Sequence, residues 1–180
     1  VFVAGIPRTE VDNFIMEYVP RDAPILEAHR VLEEKLAGVV FVDVLLEAEG
    51  GPAEPWHEPE LLARAAQAEA AILADPGVQA TSSVLGLLRE LRWVQHGGAA
   101  SGSPREGLPE SRAEAASLLL LAEFSGDPGL IETHLSSDRR ILRLTARASD
   151  LGAREYLELE GRMEAWLEEA FSGSSIPVKA

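Results

Sequence analysis

VVFVDVLLEA (residues 39–48) and RRILRLTARA (residues 139–148) decide the fold between them. In the first, Val40, Val42, Val44 and Leu46 share one side of an extended chain while Asp43 and Glu47 fall on the other. In the second, Leu142, Leu144, Ala146 and Ala148 point one way and Arg143, Thr145 and Arg147 the other. A period of two predicts two strands, each with one apolar and one polar face. If the strands are neighbours, Asp43 and Glu47 share an open sheet face with Arg143 and Arg147. Opposite charges on adjacent strands then contribute roughly 0.2–1 kcal/mol per pair. The competing reading of this arginine-rich stretch is an anion site; the alternation favours a ladder of ion pairs facing solvent or a partner.

Working outward, RDAPILEAHRVLEEKLAG reads as a helix, with Asp22 as N-cap, Pro24 in the first turn and Gly38 as the stop. The preceding VDNFIMEYVP is an irregular or short extended entry. GGPAEPWHEP is a loop, PELLARAAQAEAAILAD a helix with Leu62, Ala65, Ala66, Ile72 and Leu73 available to pack, and Asp75-Pro76-Gly77 a turn before a short strand, VQATSSV. LGLLRELRWVQHGG and ESRAEAASLLLLAEFSGD are apolar helices, the second capped by Ser111 and stopped by Gly126, joined by the loose AASGSPREGLP. They predict a helical hairpin inserted at about residues 84–126. After a turn at Asp127-Pro128-Gly129, LIETHLS is expected as a strand paired with RRILRLTARA. Tyr156, Leu159, Met163, Trp166, Leu167 and Ala170 then mark one face of a long helix, and SSIPVKA is a final edge strand. The sum is an α+β domain spanning residues 1–180, a ferredoxin-like split βαβ with an antiparallel sheet, helices on one face and the inserted hairpin.

Composition narrows the function. A formal net charge of −14 argues against a nucleic-acid protein, which needs a broad cationic face. The absence of cysteine removes disulfides, thiolate metal sites and a cysteine nucleophile. The longest apolar run, AASLLLLA, is far short of the roughly twenty residues that span a bilayer, so this stretch of chain is expected to be soluble. With Val1 at its start and no basic leader, it reads as an excised or processed piece.

Motifs for chemistry are sparse. His29, His57, His96 and His134 are widely separated and lack ligand spacing, so no metal is expected. The glycine-rich places match neither the phosphate-binding loop nor the dinucleotide fingerprint, and no cofactor is expected. There is no G-x-S-x-G elbow, so no catalytic residue is assigned. The glutamates of the last helix, Glu158, Glu160, Glu164, Glu168 and Glu169, suit a solvated face. Trp56, in a proline-rich loop, and Trp93, near the end of an apolar helix, are candidate partner or ligand anchors, with core packing the stronger reading for Trp93.

Three pieces together resemble a known family: Pro20-x-Asp22-x-Pro24 before a helix; DPGV-x-x-x-x-S-V-x-x-L-L from Asp75 to Leu88; and LLLLAEFSGDPGL followed by LSSDRR-x-L-R-L-T-A-R. In this order and spacing, covering nearly the whole chain, they resemble the extracytoplasmic loop of RND-superfamily exporters, in the branch of the MMPL-type lipid exporters. The resemblance implies a porter domain on the outer face of the bacterial inner membrane, part of a proton-driven exporter of hydrophobic or lipid-like substrates and not an enzyme. Its partners would be the membrane helices and the second porter domain of the parent, with a lipid or hydrophobic molecule as further ligand and self-association as a further expectation. The proton-relay acids of the membrane helices are not in this chain. Trp56, Leu88, Trp93, Leu119, Arg143 and Arg147 are the candidate substrate or interface contacts. A stand-alone acidic ferredoxin-like binding module and a soluble α+β enzyme are the rival readings; an enzyme requires titratable groups converging in a pocket.

Overall fold

The structure is a computed structural model that describes residues 18–101, 107–124 and 129–180. The order is α1 (Pro24–Lys35), β1 (Val40–Ala48), a 3-10 turn (Pro55–His57), α2 (Pro59–Leu73), β2 (Val78–Ser82), α3 (Val84–Gln95), a second 3-10 turn (Gly98–Ser101), α4 (Arg112–Phe124), the single turn α5 (Gly129–Glu132), β3 (Ile141–Ala148), α6 (Ala153–Phe171) and β4 (Val178–Lys179). The four strands form one sheet in the order β2-β3-β1-β4, every neighbouring pair antiparallel. The domain is therefore α+β.

β1 and β3 are the central pair, in the register Asp43↔Thr145, Leu45↔Arg143 and Phe41↔Arg147. The period-two readings of both strands hold residue by residue: burial alternates along β1 and along β3. On the apolar side Leu46, Leu142, Leu144, Ala146 and Ala148 meet Leu61, Leu62, Ala65 and Ile72 of α2 and Leu159, Met163 and Leu167 of α6 in one cluster. A Leu buried in this way contributes about 1.5–3 kcal/mol by removal from water.

Between β2 and β3 lies the helical segment expected from sequence. Ser83 caps α3, its Oγ accepting the Leu85 N–H at 3.2 Å, and Ser111 caps α4, its Oγ accepting the Glu114 N–H at 3.1 Å. Arg92 ties the two helices together, bonding Glu114 at 2.8 Å and Glu110 at 2.6 Å. Leu85 and Leu88 of α3 and Ala115, Leu118, Leu119 and Ala122 of α4 join the common core.

Several details differ from the sequence reading. LIETHLS is not a strand: Thr133 and Leu135 N–H groups bond back to Gly129 and Ile131 carbonyls, closing a helical turn, and only Leu135 pairs with β3, as an isolated bridge to Leu142. α1 is not capped by Asp22; Ala23 occupies the N-cap without a side-chain bond, and Pro24 starts the helix. Leu73 of α2 is largely exposed, and Leu61 takes the core position instead. The entry segment up to Glu17, the Gly102–Glu106 part of the α3–α4 connection and the stop at Gly126 with the Asp127-Pro128 turn lie outside the described residues.

Candidate functional site

The open face of the sheet holds the charged side chains that the alternation places there. Arg143 bonds Asp43 at 2.6 Å, and the Thr145 hydroxyl donates to the same carboxylate at 2.6 Å. The Arg143 guanidinium beside it holds the Asp43 carboxyl below its usual range. Among the described residues Arg147 takes no carboxylate. Its guanidinium lies over the Phe41 ring, 5.5 Å from the centroid, and donates to the Leu36 carbonyl at 3.1 Å, because the register sets Arg147 opposite Phe41. Glu47 sits opposite Lys179 on the other neighbouring strand. The face is thus one ion pair and one cation–π contact, interleaved with the exposed apolar side chains of Phe41 and Leu45.

All four arginines of residues 136–150 have internal partners, which disfavours an anion site. Arg139 pairs with Glu123, and Arg140 donates to the Ala48 and Gly50 carbonyls at 3.2 and 2.7 Å. The Ser136-Ser137-Asp138 segment orders this turn: the Ser136 hydroxyl donates to Asp138 at 2.6 Å, and the Arg140 N–H donates to both side chains at 3.1 Å. This arginine cluster closes the fold and leaves no vacant guanidinium for a phosphate.

The candidate contact residues separate into buried and accessible ones. Trp56 is fully buried; its indole N–H donates to the Arg140 carbonyl at 2.9 Å and its ring meets Phe171 edge-on at 6.3 Å. Leu88 and Leu119 are likewise core residues. These three candidate substrate or interface contacts lie inside the core of the domain. Trp93 is half-buried and packs over the turn at Gly98, where an added Cβ would stand 3.5 Å from its ring. Arg143 and Arg147 remain accessible on the open face.

The sequence reading missed the outer face of the inserted helices. Leu120, Leu121 and Phe124 of α4 and Val94 of α3 are exposed, Phe124 to 80%. The run of four leucines, 118–121, carried the signal: a helix facing one core turns only about half of such a run inward. Leu118 and Leu119 go in; Leu120 and Leu121 go out.

One polar cluster has the makings of a reactive centre. Buried Glu69 accepts from the Ser83 hydroxyl at 2.8 Å and from Arg89 at 3.1 Å, beside a cavity of about 530 Å³ also lined by Thr81, Ser82 and His134. Burial pushes the His134 imidazole down, and its Nδ1 is buried without a hydrogen-bond partner. Ser83, however, gives its proton to Glu69 and its oxygen to the α3 N-terminus, so the hydroxyl is engaged as a cap, and the carboxylate that accepts its proton is itself paired with Arg89. Glu69 with Arg89 reads as the clamp that joins α2 to α3. Among the described residues no three His, Asp or Glu side chains converge as metal ligands would, and no helix is long and apolar enough to cross a membrane. Neither the known protein-family models nor the curated proteins include a match to this chain.

Proposed function

We propose that this chain is the extracytoplasmic porter-type domain of an RND-superfamily exporter of the MMPL-like branch, and that it acts by docking on the rest of the transporter to enclose a path for a hydrophobic or lipid-like substrate. The observation that carries the reading is the strand order. β3 lies between β1 and β2, and β1 lies between β3 and β4, so the units β1-α2-β2 and β3-α6-β4 interleave. We read the interleaved units as a ferredoxin-like split βαβ, the arrangement that the family resemblance implies for a porter domain, with α3 and α4 as the insertion. Fold alone does not assign function; the residue motifs quoted above add the exporter.

Two surfaces suit docking in this reading. The open sheet face offers Phe41 and Leu45 around the Asp43–Arg143 pair, and α4 offers Leu120, Leu121 and Phe124. No catalytic centre, metal or cofactor is part of the proposal. The full reading frame that encodes the chain tests it: apolar runs of about twenty residues on either side, with a second domain of the same strand order, are expected. A frame without membrane spans overturns the exporter reading and favours a stand-alone binding module.

A further inference from the structure

The Pro55–His57 turn, in a loop rich in Gly and Pro, carries two deeply buried side chains in a row. Trp56 is the core indole already described, and His57 is only 6% exposed. The His57 Nδ1 stands 3.5 Å from Glu54 Oε2, while its Nε2 is buried without a hydrogen-bond partner. Such a contact suits the neutral tautomer with its proton on Nδ1, which leaves Nε2 a bare acceptor. A second proton would go on Nε2, and the buried N–H so made would have nothing to donate to. Glu54, which precedes the turn, sits in the left-handed region at φ +54°, so the turn is held by its surroundings more than by local preference.

α4 packs against this turn and is pinned beside it at both ends. At its start Arg112 bonds Glu58 and the Ala53 carbonyl; near its finish Glu123 pairs with Arg139, from the turn before β3. The charged groups that face the His57 ring are Glu54 of its own turn, Arg112 and Glu123 of α4, and Arg139. Glu54 and Glu123 reach solvent, and Glu123 is already engaged by Arg139. Burial outweighs the attraction of Glu54 and holds the imidazole below its ordinary value, and the two guanidiniums act in the same direction.

We propose that His57 is a proton-sensitive latch between the Pro55–His57 turn and α4: neutral, it lets the two close on each other, and protonated, it leaves the interface and frees α4 from the turn. The step is an acid–base one, in which Nε2 takes one proton from water and the imidazolium turns toward solvent. The opening is local, because α4 packs mainly on α3, α5 and this turn, while α2 and α6 hold each other and β1 and β3 hold the sheet. The freed helix carries Leu120, Leu121 and Phe124, so acid loosens a surface assigned above to docking. That consequence rests on the exporter reading; the latch does not.

The closed state refuses the proton and the open state accepts it near the ordinary value of about 6.5, so closure is complete above that range and weakens as pH falls. Between about pH 7.5 and about pH 5.5 the opening equilibrium should rise by up to about tenfold. Amide hydrogen exchange on the chain, corrected for intrinsic rates at each pH, measures it. The α4 amides from Ala115 to Ala122 should show the rise, with Leu144 and Ala146 of β3 at least about tenfold better protected throughout. His57→Gln should reduce the rise to less than about twofold, and His134→Gln should leave it in place. In the wild type the His57 ring protons, followed by NMR, should titrate in step with α4 opening, a readout that stands even if His57→Gln fails to fold. A rise that survives His57→Gln overturns the latch, as does one lost in His134→Gln. An equal rise at Leu144 and Ala146, or a His57 ring that titrates while α4 stays closed, overturns it too. None of these outcomes bears on the exporter reading, which stands or falls with the membrane spans of the reading frame.

Discussion

Leu88→Ala decides whether the inserted helices are core or lining. Leu88 is fully buried in the cluster that also holds Leu85, Leu118 and Leu119. The truncation removes about three methylene-equivalents, about 2.4 kcal/mol at about 0.8 each. A residual cavity of about 40 Å³ adds about 1 kcal/mol at about 24 cal/mol per Å³, for a total near 3.4 kcal/mol. For a chain of this length each kcal/mol moves Tm by about 2–4 °C, so a fall of about 7–14 °C is expected in calorimetry. Urea unfolding should show a midpoint lower by about 1.7 M if m is about 2 kcal/mol/M. Phe124→Ala on the outer face of α4 is the internal control, expected to stay within about 0.5 kcal/mol of the parent. A Leu88→Ala shift below about 2 °C, or a Phe124→Ala shift of equal size, refutes the assignment of α3 and α4 to the core.

Gly38→Ala should be costly although the change adds only one methyl group. The glycine sits at φ +92°, and an added Cβ would lie 2.5 Å from the Ala148 carbonyl oxygen, so a left-handed strain of about 1–2 kcal/mol combines with a backbone clash against β3; unchanged unfolding free energy would refute the close approach. Burial pushes the His57 and His134 imidazoles below their ordinary value, so the folded state refuses a proton that the unfolded chain accepts. Stability is then complete above the ordinary histidine range, near pH 6.5, and declines as pH falls below it. Tm should drop between pH 7.5 and about 5.5, and His57→Gln with His134→Gln should flatten that slope; an equal slope in the double variant refutes the cause. A double-mutant cycle on Asp43 and Arg143, both partly exposed, should give about 0.2–1 kcal/mol, shrinking in high salt. A salt-independent coupling above about 2 kcal/mol would contradict a solvated pair.

The strands were legible because their signal is local and strong. Alternation over eight or nine residues leaves one register for each face, and β1 and β3 pair as that alternation requires. LIETHLS lacks that signal and its strand reading failed: its apolar positions, Leu130, Ile131 and Leu135, fit no clean period of two, and the turn is closed by local bonds to Gly129 and Ile131. The burial of Trp56 was not legible because its partner is remote. Nothing in a Gly- and Pro-rich loop announces that an indole N–H will reach a carbonyl 84 residues away. The Glu69, Ser83 and Arg89 cluster was invisible on similar grounds, being drawn from two helices and the cap between β2 and α3.

The charge balance bears on the partner proposed above. Sixteen Lys and Arg face thirty Asp and Glu. Arg64, Arg89, Arg92, Arg112, Arg139, Arg140, Arg143, Arg147 and Arg162 each hold an internal carboxylate or carbonyl. Most of the cationic charge therefore closes the structure, and the surplus carboxylate is left to the surface, including the margin of an open groove between β1 and α6. A surface biased in this way repels acidic partners and other copies of itself at low ionic strength, and it attracts basic or neutral ones. Such a bias selects among partners more than it adds affinity. The affinity has to come from the apolar side chains left outside the core, Phe41 and Leu45 on the sheet and Leu120, Leu121 and Phe124 on α4. Replacing those side chains with serine should weaken assembly with a partner and leave Tm nearly unchanged, whereas neutralising the rim carboxylates should relax the choice of partner.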